Sequence, residues 1–415
     1  MSKKLQSVRG THDALPHENT ARRFVIDTAR TTGELYGFAE LSTPIFEFTD
    51  VFARTLGETS DVVSKEMYSF MDRGGESLTL RPEFTAGIMR AFISGGMQQN
   101  LPLKFFSSGA LFRYERPQKG RFRQFHQINF ECLGVDSPVA DIETIALADQ
   151  ILSELGIRNK ITLEINSLGC PESRTHYRDR LVEYFTAHKD ALSEDSKLRL
   201  EKNPLRILDS KDAGDKKIAA NAPKMECSYT DESRVFFAEV LAGLDAVGIE
   251  YTVNEKLVRG LDYYCHTVFE FTSDALGSQN AVLAGGRYDG LAELMGGKPT
   301  PAIGFAGGIE RLCELVDYTA EIVRPVSIIP LGDAAKKKAV EITMFLRGKG
   351  ITVDLGYAGN LGKRLKKANA GNASHAVIIG EEEMQKGVAI VRNLDSGEQT
   401  EVACDVDEIG KALTA

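Results

Sequence analysis

The chain has 415 residues, 42% of them hydrophobic and 26% charged, with a formal net charge of −9. That length leaves room for two or three domains, and the acidic balance argues against non-specific coating of nucleic acid, so any RNA or DNA contact has to come from local basic patches. No stretch approaches the roughly 18–20 apolar residues of a membrane span, the N-terminal "MSKKLQSVRGTHDALP" lacks the apolar core of a secretory signal, and six scattered cysteines read as reduced thiols of a cytoplasmic protein without a structural metal site.

In chain order, residues 19–36 place Val25, Ala29, Thr32 and Tyr36 at three- and four-residue steps, which predicts a helix ended by Gly37. "FAELSTPIFEF" follows as an extended segment that Pro44 confines to a sheet edge or a strand start. "ESLTLRPEFTAGIMRAF" runs from strand to helix, with Pro82 suited to the first helical turn. Residues 104–132 alternate: Phe106, Ala110, Phe112 and Tyr114 share one parity, and Arg123, Phe125, Gln127, Asn129 and Glu131 share a face of the second limb. With "PQKG" as the break, this is an antiparallel hairpin with a long basic loop. Residues 140–156 read as a helix, and about 170–245 as a charged, mostly helical insertion. Strands return at "CHTVFEF" and "NAVLAGGRYDGL", and "AIGFAGGIERLCELV" reads as strand, glycine turn, helix. After "DYTAEIVRP", strands and helices alternate, which predicts a separate α/β domain. The boundaries are therefore 1–325 and 326–415.

Chemistry concentrates in "FRYERPQKGRFRQFH", residues 112–126. Arg113, Arg116, Lys119, Arg121 and Arg123 around a turn suit a polyphosphate or a nucleic-acid end, because guanidinium meets phosphate with a planar fork of donors. A solvated loop is the plain alternative. Gln127 and Glu131 continue inward between apolar flanks, where a carboxylate must be paired. In "RGLDYY", Arg259 beside Tyr263 and Tyr264 fits either a core ion pair or a pocket wall. "AGGRYDG" and "GFAGGIER" match neither the dinucleotide nor the P-loop pattern, and Arg311 is the cation that stands out after the second. Lys363, Arg364, Lys366 and Lys367 in "GKRLKKANA" cluster at helical spacing, a hint of RNA contact.

Taken together and in order, "RGTHDALP", the Pro44 segment, "FRYERPQKGRFRQFHQ", "LVRGLDYY", "AGGRYDGL" and "GFAGGIERL" resemble the class II aminoacyl-tRNA synthetase family, in its histidine branch. The resemblance spans nearly the whole chain. It implies an α+β fold: an antiparallel sheet flanked by helices, a helical insertion, and a C-terminal α/β anticodon-binding domain. It implies activation of L-histidine by ATP with Mg2+, transfer to tRNA(His), and a homodimer. By position, Arg113 would hold the α-phosphate and Arg259 the carboxylate and α-phosphate, the two catalytic cations. Glu115 would meet the adenine amino group, Phe125 would stack on its ring, and Arg121 and Arg311 would clamp the outer phosphates, with Arg311 also against the adenine. Glu83, Thr85 and Gln127 would hold the amino group of histidine. Glu131 and Tyr264 would bind its imidazole, and Tyr263 and Tyr288 would line the pocket. Phe84, beside the amino-group residues, stands where many members carry glycine. A non-catalytic relative that partners a phosphoribosyltransferase is the rival, disfavoured by the C-terminal domain and the intact "RGLDYY".

Overall fold

The computed structural model describes residues 4–55, 65–118, 120–208, 210–258, 263–277, 280–318 and 323–414. It contains two compact units, Met1–Tyr318 and Thr319–Ala415. The first runs α1 (Pro16–Leu35), β1 (Ala39–Glu40), β2 (Phe46–Phe48), α2 (Thr49–Ala53), β3 (Tyr68–Met71), β4 (Ser77–Leu80) and α3 (Thr85–Ser94). The long hairpin β5 (Leu103–Phe112) and β6 (Gln124–Leu133) precedes α4 (Pro138–Glu154) and β7 (Thr162–Ser167). The insertion supplies α5 (Pro171–Ala187), α6 (Glu194–Lys202), α7 (Ala213–Ala219) and α8 (Asp231–Ala246). β8 (Thr252–Val253), β9 (Cys265–Thr272), β10 (Ala281–Arg287), α9 (Leu291–Leu294), β11 (Ala302–Gly308) and α10 (Ile309–Leu315) complete the unit.

Eight strands order as β1-β5-β6-β11-β10-β9-β7-β8. The pairs are antiparallel except at the two edges, β1 with β5 and β7 with β8. One face carries Phe106, Ile128, Phe130, Phe269 and Phe305 into a core shared with Val25 and Ala29 of α1 and Ile145 and Ile151 of α4. Strand alternation turns the opposite parity of β6, Gln127, Asn129 and Glu131, to the other face. A smaller antiparallel sheet orders β2-β4-β3, so the Pro44 segment does lead into an edge strand.

Two boundaries differ from the sequence expectation, and capping explains both. α1 starts at Pro16, where a missing N–H costs nothing, and Glu18 reaches back to accept from the Leu15 N–H at 2.7 Å. α3 starts at Thr85, three residues after Pro82, because the Glu83 carboxylate accepts from the N–H groups of Thr85 (2.6 Å) and Ala86 (2.7 Å).

An ion pair hidden in "AGGRYDG" locks the sheet to its helices. Arg287 of β10 and Asp141 of α4 are both fully buried, and their side chains are paired. Arg287 also donates to the Val135 carbonyl (2.9 Å), the Ser137 carbonyl (3.2 Å) and Asp289 (3.1 Å), and its guanidinium lies 5.2 Å from the Phe236 ring centroid of α8.

The second unit contains β12 (Val326–Pro330), α11 (Asp333–Gly348), β13 (Val353–Leu355), α12 (Leu361–Ala370), β14 (His375–Ile379), α13 (Glu381–Lys386), β15 (Val388–Asn393), β16 (Gln399–Ala403) and α14 (Val406–Thr414). Its sheet orders β13-β12-β14-β15-β16, with the first three strands parallel and the last two antiparallel. Arg364 does not join the exposed basic face expected from "GKRLKKANA". It shares the inward stripe of α12 with Ala368 and donates to the carbonyls of Pro330, Gly356 and Gly359. Lys363, Lys366 and Lys367 remain exposed.

Removing one partner of a buried pair strands the other charge. Arg287→Met is expected to lower the unfolding free energy by about 3 kcal/mol, read from the urea transition by tryptophan-free near-UV and far-UV circular dichroism.

Candidate active site

A cleft of about 260 Å3 opens where β6, β10 and β11 meet the start of α3. Most of the residues singled out from the sequence line it. Glu83, Phe84 and Thr85 come from the α3 start, and Arg113, Glu115, Arg121, Phe125 and Gln127 from the hairpin. Tyr263, Tyr264, Tyr288 and Arg311 close the remaining sides. Arg259 and Lys119 lie outside the described residues.

Glu131, 1% exposed, does not line the cleft itself but lies behind two residues that do. Thr85 Oγ1 donates to its Oε1 at 2.5 Å, and the Tyr288 hydroxyl donates to its Oε2. Tyr288, expected only as a wall, is therefore the tyrosine on Glu131 itself. Burial pushes the Glu131 carboxyl up to about 7, and nearby Glu83 acts in the same direction while the two hydroxyls oppose it. Burial also raises Glu83, against its two backbone N–H bonds. Gly304 is the register partner of Glu131, and a Cβ there would overlap the carboxylate, so this position must lack a side chain. Tyr263 and Tyr264 pack at 4.6 Å between centroids, and Tyr263 and Tyr288 at 5.5 Å. Burial holds the hydroxyls of Tyr263 and Tyr288 well above the usual range, so both stay neutral donors.

Phe84 needs no glycine-only angle. Its backbone is right-handed helical (φ −94°, ψ −36°), and its ring is buried with Ile88 and Leu111 under the Arg81 guanidinium at 4.5 Å.

The half-open end is basic. Arg113 Nε donates to the Pro82 carbonyl at 2.9 Å, and its guanidinium lies 5.2 Å from the Phe125 ring centroid. Arg311 Nη1 donates to the Ala281 carbonyl at 2.8 Å. Arg121 pairs with the Glu115 carboxylate. Burial lowers both Arg121 and Arg311. Arg121 and Arg113 lower Arg311 further, and Arg113 lowers Arg121, with Glu66 and Glu270 pulling the other way. Three guanidiniums therefore feel one another across a single cleft. Of the other loop cations, Arg123 packs on Tyr114 at 3.8 Å and ties the loop through the Glu115 carbonyl, while Arg116 is exposed.

Glu310, the neighbour of Arg311, escaped the sequence analysis. Its carboxylate accepts from the His126 N–H (3.0 Å), lies 2.8 Å from His126 Nδ1, and accepts from Arg22 Nη2 (3.2 Å). Burial opposes its ionisation, but the His126 bonds hold it below the usual carboxylate range. It thereby fixes α10, β6 and α1 around the arginine that follows it. An acid directly before a marked cation was the only available signal.

Because the folded Glu131 binds its proton more tightly than an unfolded carboxyl near 4.5, the unfolded state gains as pH rises between these values. Stability should fall across the window from about 4.5 to about 7 and then level off, and Glu131→Gln should remove that part of the slope in urea titrations run at stepped pH.

Known proteins resemble this chain along nearly its whole length. A family model described as histidyl-tRNA synthetase matches residues 10–312, and one described as an anticodon binding domain matches residues 325–414. The histidine–tRNA ligase of Rhodospirillum rubrum is 56% identical over 407 residues, covering 97% of this chain and 98% of that protein. That of Wolbachia pipientis wMel is 55% identical over 400 residues, covering 96% and 98%. Among solved structures, apo S. aureus histidyl-tRNA synthetase superposes with a TM-score of 0.83 at 33% identity, covering 99% of this chain and all of that one. An ATP phosphoribosyltransferase regulatory subunit/histidyl-tRNA synthetase from Bacillus halodurans C shares the fold at a TM-score of 0.67 and 22% identity, covering 92% and 99%. The match of a family model over most of the first unit, with relatives above 50% identity along nearly the whole length, shows that this chain belongs to the histidyl-tRNA synthetase family of class II aminoacyl-tRNA synthetases.

Proposed function

We propose that this one cleft carries both half-reactions of a histidine–tRNA ligase. A histidine carboxylate oxygen attacks the α-phosphorus of ATP, the bond to the bridging β-oxygen breaks, and pyrophosphate leaves. A hydroxyl of the terminal ribose of tRNA(His) then attacks the carbonyl carbon of the mixed anhydride, loses its proton, and AMP leaves. The supporting observation is polarity: Thr85 and Tyr288, which line the cleft, hold the buried Glu131 carboxylate behind its wall, and Arg113, Arg121 and Arg311 line the same cleft. Fixed cations where phosphoryl charge develops lower the barrier without reorganisation.

Within that reading, Arg113 holds the α-phosphate, with Arg259 as its partner on the strength of the sequence resemblance. Arg121 and Arg311 take the outer phosphates, and Phe125 lies against adenine. Glu115 meets the adenine amino group, which requires Arg121 to leave Glu115 for phosphate when ATP enters. Glu83, Thr85 and Gln127 take the ammonium group. Glu131 accepts from the imidazole, Tyr264 completes the pairing, Tyr263 and Tyr288 form the wall, and Phe84 backs it. A guanidinium-rich rim suits phosphate oxygens, not a metal ion, so Mg2+ belongs to the substrate as its ATP complex.

The wider assignments follow the same reading. Residues 1–325 form the catalytic domain with the insertion at about 170–245, and residues 326–415 read the anticodon region of tRNA(His). No helix among the described residues is long and apolar enough to cross a membrane, and the six cysteines are free thiols, which suits a cytoplasmic enzyme. The β2-β4-β3 sheet turns Phe46, Phe48 and Phe70, 52%, 53% and 47% exposed, outward on one face. A flat aromatic face of this kind fits a second copy of itself across a two-fold axis.

Exchange of pyrophosphate into ATP should require histidine among the twenty amino acids. Glu131→Ala should abolish that exchange while ATP still binds in calorimetry; exchange that survives would refute the imidazole assignment. Phe48→Asp should shift the sedimentation coefficient from dimer to monomer.

A further inference from the structure

We propose that Arg174, on helix α5 of the insertion, is a positioning residue for the amino-acid end of the cleft. It acts by holding the main chain of Tyr264. The proposal rests on the reading that this end of the cleft takes histidine.

Arg174 Nη1 donates to the Tyr264 carbonyl at 2.9 Å, across 90 residues of sequence. A charged donor on a part-buried carbonyl is among the stronger single bonds available to a protein. It grips a segment that is held twice more. The Leu168 N–H donates to the His266 carbonyl at 2.7 Å, and the His266 N–H donates to the Gly169 carbonyl at 2.9 Å, so the residues leading into α5 clamp the position two beyond Tyr264. The His266 ring packs on Phe236 of α8, 4.7 Å between centroids.

The clamped segment is unusual in its backbone. His266 has φ +44°, a left-handed conformation uncommon for a residue with a side chain. The pairing of β9 with β10 slips at the same place: Gly286 faces Val268, yet Arg287 faces Cys265. This is a β-bulge, which bends a strand and re-aims the side chains before it. Those side chains are Tyr263 and Tyr264, both of which line the cleft. The Tyr264 ring lies against Gly286, where an added Cβ would come within 2.9 Å of its Cδ1. Strain of this kind persists only where the surroundings over-determine it, and here the surroundings are elements of the insertion, α5 and α8. The insertion is therefore part of the pocket's framework. A displacement of α5 is transmitted to Tyr264 through one guanidinium.

The test is the split between the two Michaelis constants in pyrophosphate exchange, measured for Arg174→Ala and for Arg178→Ala, the next arginine one turn along α5. Arg174→Ala should raise KM for histidine about tenfold, the scale of one lost charged hydrogen bond, and leave KM for ATP at the wild-type value. Arg178→Ala should leave both constants unchanged. A folded Arg174→Ala protein with wild-type KM for histidine overturns the proposal, as does an equal rise in both constants, which marks a merely structural role. Should Arg174→Ala not fold, Arg174→Met, which keeps the aliphatic stem but cannot donate, is judged by the same split. Wild-type protein without histidine-dependent exchange would instead overturn the assignment of the cleft, and this proposal with it.

Discussion

Three guanidinium groups enclosed around one cleft, Arg113, Arg121 and Arg311, repel one another and are partly stripped of water, and the fold has to hold them there. Each is tethered by its own neighbours: Arg113 by the Pro82 carbonyl, Arg311 by the Ala281 carbonyl, Arg121 by Glu115. The tethers come from three different parts of the chain, so the arrangement exists only when the hairpin, β10 and α10 are in register. An incoming polyphosphate relieves this repulsion. The same electrostatic cost that weakens the empty protein is what makes a highly charged anion a favourable occupant. The cost is carried by the packed apolar face on the far side of the sheet, where Phe106, Phe130, Phe269 and Phe305 form a continuous layer.

The acidic end answers the basic one. Glu131 and Glu83 are both buried, and both resist ionisation because water is excluded. A cationic ammonium or an imidazole N–H brought close would lift that penalty. A ligand with a positive or donor-rich end and a carboxylate is thus oriented before any specific contact is made, with its carboxylate toward the arginines. Selectivity follows from the same scarcity of water. On the proposed reading, groups that pair with a ring nitrogen are left unpaired by an analogue that lacks it, and such sites discriminate by roughly 10⁴ or more. A pocket of this kind has no need of a separate proofreading centre.

What could be read in advance was local. The alternation of residues 104–132 placed Gln127 and Glu131 on one face of a hairpin, and the strand–helix grammar separated the C-terminal unit, because side-chain parity and helical period are properties of neighbouring residues. The roles expected of the site residues came from the resemblance of ordered segments. What stayed hidden was pairing across long separations. Asp141 and Arg287 are 146 residues apart, Glu131 and Tyr288 are 157 apart, and His126 and Glu310 are 184 apart. No periodicity encodes such partners. Arg364 shows the converse failure, since a run of cations at helical spacing does not say which one turns inward. Its guanidinium is saturated by backbone carbonyls, and its neighbours in sequence point about 100° away around the helix axis.

The helical insertion shows how a segment can be peripheral in sequence and still part of the pocket's framework. Charge and low apolar content mark residues 170–245 as an appendage, and α5, α6 and their connections do bury a small core of their own around Leu181, Phe185 and Ile207. Yet α8 packs Phe236 under the buried Arg287 guanidinium and against His266, and α5 sends Arg174 to Tyr264. Two of these contacts, at Tyr264 and His266, fall on either side of Cys265, where β9 and β10 lose register. A strand that bends away from its partner gives up ladder bonds, and something must replace them. Here the replacement comes from helices outside the sheet, so the pocket wall formed by Tyr263, Tyr264 and Tyr288 is only as rigid as the insertion's hold on it.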